Sequence, residues 1–169
     1  MLILSIDPGT TQSAVLLWDT VKCEILWTCG KHGEKWAMPN EELNSKENGL
    51  AAIYEADIFA IEMVEGMDMV VGKETFRTAY WVGRFAERFL RIGEVLEVTR
   101  REEKLRICGT CRANDAMIRK SLIAQYGGPG SKKFPGVTYA LRGDLWAAFA
   151  VAITAEQILK EKEMNHGKR

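Results

Sequence analysis

The sequence lacks long apolar runs and any excess of charge of one sign. No stretch reaches the roughly 18 consecutive apolar residues of a membrane span, and no basic segment precedes the apolar N-terminus as in a secretion signal. The 169 residues carry 23 basic and 23 acidic side chains, so affinity for nucleic acid would have to come from local clusters of positive charge. We therefore expect a cytoplasmic protein of one domain, residues 1–169, with a polar tail from about residue 160.

Cysteine is too scarce to hold a domain of this size together. We expect Cys23, Cys29, Cys108 and Cys111 to be reduced, because the core needs no disulfides. The pair in "CGTC" has the spacing of half a zinc site, but Cys23, Cys29 or His32 would have to complete the site without a second tight pair. The sequence favours ordinary thiols over a zinc centre.

Strands come first along the chain, and helices follow. Short β-rich segments predict five strands: "LILSID", "SAVLLWD", "EILWTCG", "DIFAIEMVE" and "EVLEVT". Apolar residues at helical spacing predict helices at "LAAIYEA", over Lys73–Arg91, from about Asn114 to Tyr126, and from near Gly143. The Lys73–Arg91 helix has a wide aromatic face, which can be core or can receive a partner helix. This order predicts an α/β fold with a mixed five-stranded sheet flanked by helices.

Three acids stand at the ends of these elements. Asp7 ends the first strand in "SIDPGTTQSA", Glu62 lies near the end of the fourth, and Asp144 lies in the first turn of the last helix. If the first and fourth strands are parallel neighbours, Asp7 and Glu62 meet at one edge of the sheet. Clustered carboxylates suit Mg²⁺ or Mn²⁺, and two such ions about 4 Å apart can activate water for phosphodiester cleavage. Taken one at a time, each acid is better explained as a cap or turn residue.

Taken together, the three acidic blocks match a family. "SIDPGTTQSA", "DIFAIEMVE" and "GDLWAAFAVAIT" resemble, in order and spacing, those of the RuvC-type Holliday junction resolvases, which have the ribonuclease H-like fold. The resemblance covers nearly the whole chain. "IEMVEGMDMVVGKETFRTAYWVGRF" and "CGTCRANDAMIRKSLIAQYGG" look like the versions in bacteriophage and prophage members, which act in the cytoplasm of a bacterial host. The resemblance implies that Asp7, Glu62 and Asp144 are catalytic and hold two Mg²⁺ or Mn²⁺ ions.

The chain departs from the family pattern at two charged positions. The bacterial enzymes carry a further acid where this chain has Ala147, which weakens the case for tight binding of a second ion. Lys104 falls where the family has a basic residue facing the DNA, but Asp115 occupies the position of a catalytic lysine. Three other cations are open candidates to replace that lysine: Arg112, Arg119 and Lys120.

The loop after Glu62 also differs from the bacterial form. An aromatic residue that inserts at the junction centre aligns with Glu65, which Met67 and Met69 follow. Methionine can wedge between bases as other apolar side chains do, or it can simply cover the neighbouring helix. Without a wedge, we expect relaxed substrate choice.

The resemblance implies an endonuclease acting on branched DNA. A four-way junction has two-fold symmetry, so paired nicks are most simply made by a homodimer, and the Lys73–Arg91 helix is the predicted interface. Basic side chains are predicted to meet DNA phosphates at seven positions: Lys73, Arg77, Lys104, Arg112, Arg119, Lys132 and Lys133.

Two alternative functions stay open. "DPGTT" also resembles the first phosphate loop of actin-like ATPases and sugar kinases, although those proteins need two lobes and 169 residues provide one. A relative that binds branched DNA without cleaving it is the other alternative. Loss of one of the main acids is the usual sign of such a relative, and all three are present here.

Overall fold

One mixed sheet carries the fold. The computed structural model describes residues 1–30, 36–45, 51–65 and 72–166. The strands are β1 (Leu2–Asp7), β2 (Gln12–Asp19), β3 (Glu24–Thr28), β4 (Met38–Pro39), β5 (Ile58–Met63) and β6 (Glu94–Thr99). They lie in the order β3-β2-β1-β5-β6, and β4 pairs with β2 outside this path. The α-helices are α1 (Asn40–Leu43), α2 (Ala51–Glu55), α3 (Lys73–Phe89), α4 (Arg100–Cys108), α5 (Asp115–Tyr126) and α6 (Leu145–His166).

The α/β architecture and its five predicted strands are confirmed. The unpredicted β4 has two residues, which is too short for any periodic signal. β1 pairs antiparallel with β2 and parallel with β5, and β5 pairs parallel with β6. The first and fourth predicted strands are therefore parallel neighbours, which is the condition under which Asp7 and Glu62 meet, and the carboxyl ends of β1, β5 and β6 share one edge of the sheet.

Apolar residues on both faces of the sheet explain where the helices pack. Along β1, Ile3 belongs to the core under α6, whereas Leu4 and Ile6 belong to the core under α3. A strand with both faces covered is apolar at nearly every position, as "LILSID" is. Phe149 anchors the α6 side, and Phe89 stacks on Phe59 on the α3 side with ring centroids 4.6 Å apart.

Helix α3 divides its aromatic residues between the core and the surface. Trp81, Phe85 and Phe89 are buried against the sheet, whereas Phe76 is 67% and Tyr80 55% exposed. The helical spacing predicted a single aromatic face. In the structure, Phe76 and Tyr80 lie on the outer side of the helix and Phe85 and Phe89 on the inner side, because Phe76 and Phe85 are separated by about two and a half helical turns.

The structure adds one helix to the predicted elements and extends another. Helix α4 was not predicted, since "RREEKLRIC" has few apolar residues, but the side chain of Thr99 accepts from Glu102 N and that of Glu102 accepts from Thr99 N in a capping box. The residues predicted as a polar tail from about 160 are helical as far as His166. An ion pair of 2.7 Å between Arg106 on α4 and Glu161 helps to hold this end of α6 in place.

The cysteines form no disulfide among the described residues. All four thiols are free, with Cys23 and Cys111 exposed and Cys29 and Cys108 half-buried. His32, the only histidine considered for a zinc site, lies outside the described residues.

In the described ranges, no helix combines the length and the apolar character that a membrane crossing requires.

Candidate active site

Asp7 and Glu62 meet at the carboxyl edge of the sheet. Asp7 is the last residue of β1, and Glu62 is the fifth of six residues in β5; the two strands pair with Ile6 opposite Ile61. Both carboxyl groups are half-buried and line one cleft of about 260 Å³. Adjacent parallel strands therefore bring the two predicted acids together.

A polar clamp holds the turn that follows Asp7. A Cβ added at Gly9 would lie 2.3 Å from the carbonyl oxygen of Gln12, so the turn requires glycine. Asn40 Nδ2 donates to the Gly9 carbonyl (2.9 Å), and Ser13 Oγ donates to Asn40 Oδ1 (2.7 Å). Asn40 and Ser13 are buried. This clamp fixes the backbone beside Asp7, and no local signal in the sequence pointed to Asn40.

The pKa values of both carboxyl groups are raised, chiefly by burial. Burial raises the pKa of Asp7 well above its usual value, and the negative charge of Glu62 raises it further. Burial also raises the pKa of Glu62, while Arg100 opposes that rise. The two groups lie within hydrogen-bonding reach, so in the absence of a cation they can share a proton.

Asp144 lies in a neighbouring cleft. Gly143 has a φ of +48°, and this turn places the exposed Asp144 directly before α6 rather than in its first turn. Asp144 lines a cleft of about 130 Å³ with Arg100, Asp115 and other residues. Its charge still raises the pKa of Asp7. Among the described residues, no group of three or more His, Cys, Asp or Glu is arranged to hold a metal ion, so the predicted three-acid cage stays a prediction.

Helix α4 contributes two charged residues that the sequence analysis missed. Glu103 is fully buried; its Oε2 accepts from Arg100, and its Oε1 has no hydrogen-bond partner. Burial, with the nearby charge of Glu62, raises the pKa of Glu103 to about 8. Arg100 also binds Asp115. The contacts of Arg100 with Glu103 and Asp115 could not be predicted from the sequence, because α4 itself was not predicted.

The donor set fits a divalent cation. Carboxylate oxygens are the ligands that Mg²⁺ and Mn²⁺ prefer, and Asp7 and Glu62 present them side by side in a cleft. The charges of Asp144 and Glu103 reach Asp7 as well. A cation at Asp7 and Glu62 would offset the burial that raises both pKa values and the charge of Glu62 that raises the pKa of Asp7 further.

The raised pKa of Glu103 predicts how stability varies with pH. In EDTA, the folded protein keeps a proton on Glu103 up to about pH 8, whereas the unfolded chain releases it near its usual pKa of 4.5. The free energy of unfolding should therefore fall as pH rises from 5 to 8, by at most about 1.4 kcal/mol per pH unit for each retained proton. Thermal melts in EDTA would measure this, and Glu103→Gln should flatten the slope. Melting temperatures that rise over the same range would contradict the prediction.

The residues predicted to bind DNA are mostly exposed, and one of them lines a cleft of the site. Lys73, Arg77, Arg112, Arg119, Lys132 and Lys133 are exposed, and Lys104 is half-buried. The structure brings Arg119 to the Asp144 cleft, where its guanidinium lies over the ring of Trp146 at 4.6 Å from the centroid. Arg77 adjoins Thr78, which lines the Asp7 cleft. Their contact with DNA stays a prediction.

The loop predicted to reach the junction centre is described only in part. Glu65 lines the Asp7 cleft and accepts a hydrogen bond from the Arg101 backbone N–H at 3.2 Å. Met67 and Met69 lie outside the described residues, so the predicted wedge stays a prediction.

Two solved structures share this architecture. A structure of Thermus thermophilus RuvC superposes with a TM-score of 0.60 at 15% sequence identity, covering 91% of this chain and 92% of that chain. A T. thermophilus RuvC in complex with Holliday junction substrate gives 0.58 at 17% identity with the same coverage. Neither a protein-family model nor a curated protein sequence matches the chain. The predicted ribonuclease H-like fold is confirmed: nearly the whole chain is similar in fold to RuvC.

Proposed function

We propose that the chain is a divalent-metal-dependent endonuclease that nicks four-way DNA junctions symmetrically as a homodimer in the cytoplasm. The observation that carries this proposal is the carboxyl pair of Asp7 and Glu62 in a cleft at the carboxyl edge of β1 and β5. Similarity in fold to RuvC, one structure of which was solved with a Holliday junction substrate, supports branched DNA as the substrate.

Asp7 and Glu62 would hold Mg²⁺ or Mn²⁺, with Asp144 as the third acid. Such a cation supplies a water of lowered pKa and balances the charge that develops on the phosphate. The chain's own residues do the positioning. β1 and β5 fix the two carboxylates, and the clamp of Ser13 and Asn40 holds the turn at Gly9 beside them.

Positive side chains would bind the DNA backbone around the site. Lys132 and Lys133 are exposed in a loop closed by a bridge between Gly130 and Pro135. Ser131 and Phe134 exchange backbone hydrogen bonds of 3.0 and 3.1 Å across this loop. A loop tied in this way presents both ammonium groups at little further cost in conformational entropy.

Replacing Lys132 and Lys133 together by Gln should weaken binding uniformly across junction, flap and duplex DNA. Each lost phosphate contact should reduce the salt slope of log K by about 0.9 on duplex arms, so the double variant should lose between about one and two. Fluorescence anisotropy in EDTA at several salt concentrations would measure this. Lys22→Gln is the matched control. Lys22 pairs with Asp19 and Glu24 beyond the end of β2, whereas Asp7 lies beside the start of that strand. An unchanged slope in the double variant would remove this loop from the DNA surface.

One experiment separates the proposal from its alternatives. Labelled four-way junction, flap and linear duplex are each incubated with the protein in Mg²⁺, Mn²⁺ or EDTA. Symmetric nicks in the junction, dependent on the metal, are the expected result. Junction binding without nicking in either metal would indicate a non-cleaving relative, and ATP turnover without DNA cleavage would indicate the actin-like or sugar-kinase alternative.

A further inference from the structure

Three adjacent strands place Arg100 at the same edge of the sheet as Asp7 and Glu62. Asp7 ends β1, Glu62 lies near the end of β5, and Arg100 follows β6 as the first residue of α4. The Arg100 side chain lines the cleft of Asp7 and Glu62 and also the cleft of Asp144. Its guanidinium therefore lies where the two acid-lined clefts meet.

The two partners of Arg100 differ sharply in exposure. One terminal nitrogen donates to Glu103, whose side chain is fully buried, and the other donates to Asp115, whose side chain is 87% exposed. Arg100 itself is 18% exposed. The bond to Glu103 is shielded from water, whereas the bond to Asp115 competes with solvent and is screened by salt. Glu103 thus fixes the guanidinium, and Asp115 is the partner that can be exchanged.

Arg100 supplies positive charge among several carboxyl groups. Six carboxyl groups surround or line these clefts: Asp7, Glu62, Glu65, Glu103, Asp115 and Asp144. Arg100 is the cation whose charge counts most against the raised pKa of Glu62. A guanidinium has five N–H donors, and the two carboxylates described use one at each terminal nitrogen. It keeps donors for a phosphate, and its planar fork matches phosphate oxygens.

We infer that Arg100 is a catalytic residue of this chain: anchored by Glu103, its guanidinium exchanges Asp115 for the phosphate that is cleaved. This inference rests on the proposed function. In the hydrolysis, a water oxygen bonds to phosphorus and releases one proton to solvent, one P–O ester bond breaks, and the leaving oxygen takes a proton from solvent. Arg100 gains and loses no proton; it binds the phosphate oxygens as their charge develops.

Four variants test the inference: Arg100→Gln, Arg100→Lys, Asp115→Asn and Arg106→Gln. Arg106→Gln is the matched control, since Arg106 lies on the same helix and pairs with Glu161 away from both clefts. Single-turnover nicking of labelled junction is measured in Mg²⁺ at saturating protein, and junction affinity is measured separately in EDTA. Circular dichroism melts report whether each variant is folded.

Arg106→Gln should nick and bind the junction as the wild type does, and each of the other three variants has its own expected result. Arg100→Gln should slow nicking at saturation by about 100-fold or more, as loss of one preorganised donor at a reacting centre does. Arg100→Lys should recover only part of this rate, because an ammonium cannot bind two oxygens in a fork. Asp115→Asn should tighten junction binding in EDTA, since it frees the guanidinium and removes a negative charge, whereas Arg100→Gln should weaken it.

The results separate this inference from the proposed function. If wild-type protein nicks the junction and Arg100→Gln nicks it within about threefold of that rate, Arg100 is only a structural partner of Glu103 and the inference is overturned. If Arg100→Gln does not fold, the other two variants decide. Nicking by Arg100→Lys at the wild-type rate would overturn the inference. Weaker junction binding by Asp115→Asn would also overturn it. If wild-type protein nicks no DNA at all, the proposed function fails first and the inference falls with it.

Discussion

Asp7→Asn should lower metal-dependent nicking of a four-way junction by about 100-fold or more and leave the protein folded. Asn keeps the shape of the side chain but removes the charge that a divalent cation needs. Folding should survive because burial and Glu62 already raise the pKa of Asp7, so the metal-free site favours a neutral side chain there. The effect should therefore fall on metal binding and catalysis rather than on stability.

Two measurements together identify the role of Asp7. Nicking is followed in Mg²⁺ or Mn²⁺, and junction affinity is followed in EDTA at fixed salt, where binding should persist or tighten slightly because one negative charge facing phosphates is gone. Asp57→Asn is the matched control, because Asp57 accepts a hydrogen bond from Leu2 N at the opposite edge of the sheet. Nicking near the wild-type rate would show that Asp7 is only a turn residue, and loss of fold would make it structural.

The part of the site built by parallel strands could be predicted from the sequence. Asp7 and Glu62 each follow a short apolar run, and such runs are typical of strands buried on both faces. Once two of these strands are parallel neighbours, their carboxyl ends must share an edge. The prediction succeeded because it depended on a local pattern and one simple rule of sheet topology.

The polar residues that support the site could not be found in this way. Asn40 lies 31 positions from Gly9, and Glu103 lies on a helix without an apolar stripe. Each is buried only because distant segments fold against it, so neither has a periodic signature. The sequence analysis left Arg112, Arg119 and Lys120 open as the missing cation, whereas Asp115, at that position, binds Arg100. The T-x-x-E pattern at Thr99 was the signal that could have revealed α4.

The outer face of α3 remains the predicted dimer interface. Its inner aromatic residues are already used by the core, while Phe76 and Tyr80 are exposed on its first two turns. Further along, Tyr80 and Tyr54 line a cleft of about 790 Å³ between α3 and α2. Exposed aromatic side chains such as Phe76, Tyr80 and Tyr54 are typical of an interaction site, although the rest of the cleft lining is mainly charged. A second copy is the partner that would match the two-fold symmetry of a junction.

Phe76→Glu or Tyr80→Glu should convert the predicted dimer to monomer and abolish paired nicking, because burying an unpaired charge opposes association. Light scattering gives the mass, and a supercoiled plasmid with an extruded cruciform distinguishes the two kinds of cleavage. Paired nicks in one binding event give linear DNA, whereas independent nicks give open circles. Single nicking should persist in both variants, since neither residue lines the Asp7 cleft.

Met164→Glu is the matched control, since Met164 is an exposed apolar residue on α6, away from α3. It should keep the mass and the linear product of the wild type. A dimer mass in both α3 variants would place the interface elsewhere. The exposed aromatic residues of α3 would then be candidates for contact with DNA. A monomeric variant that still yields linear plasmid would show that paired cleavage does not need two linked active sites, because one active site would then have cut both strands in sequence.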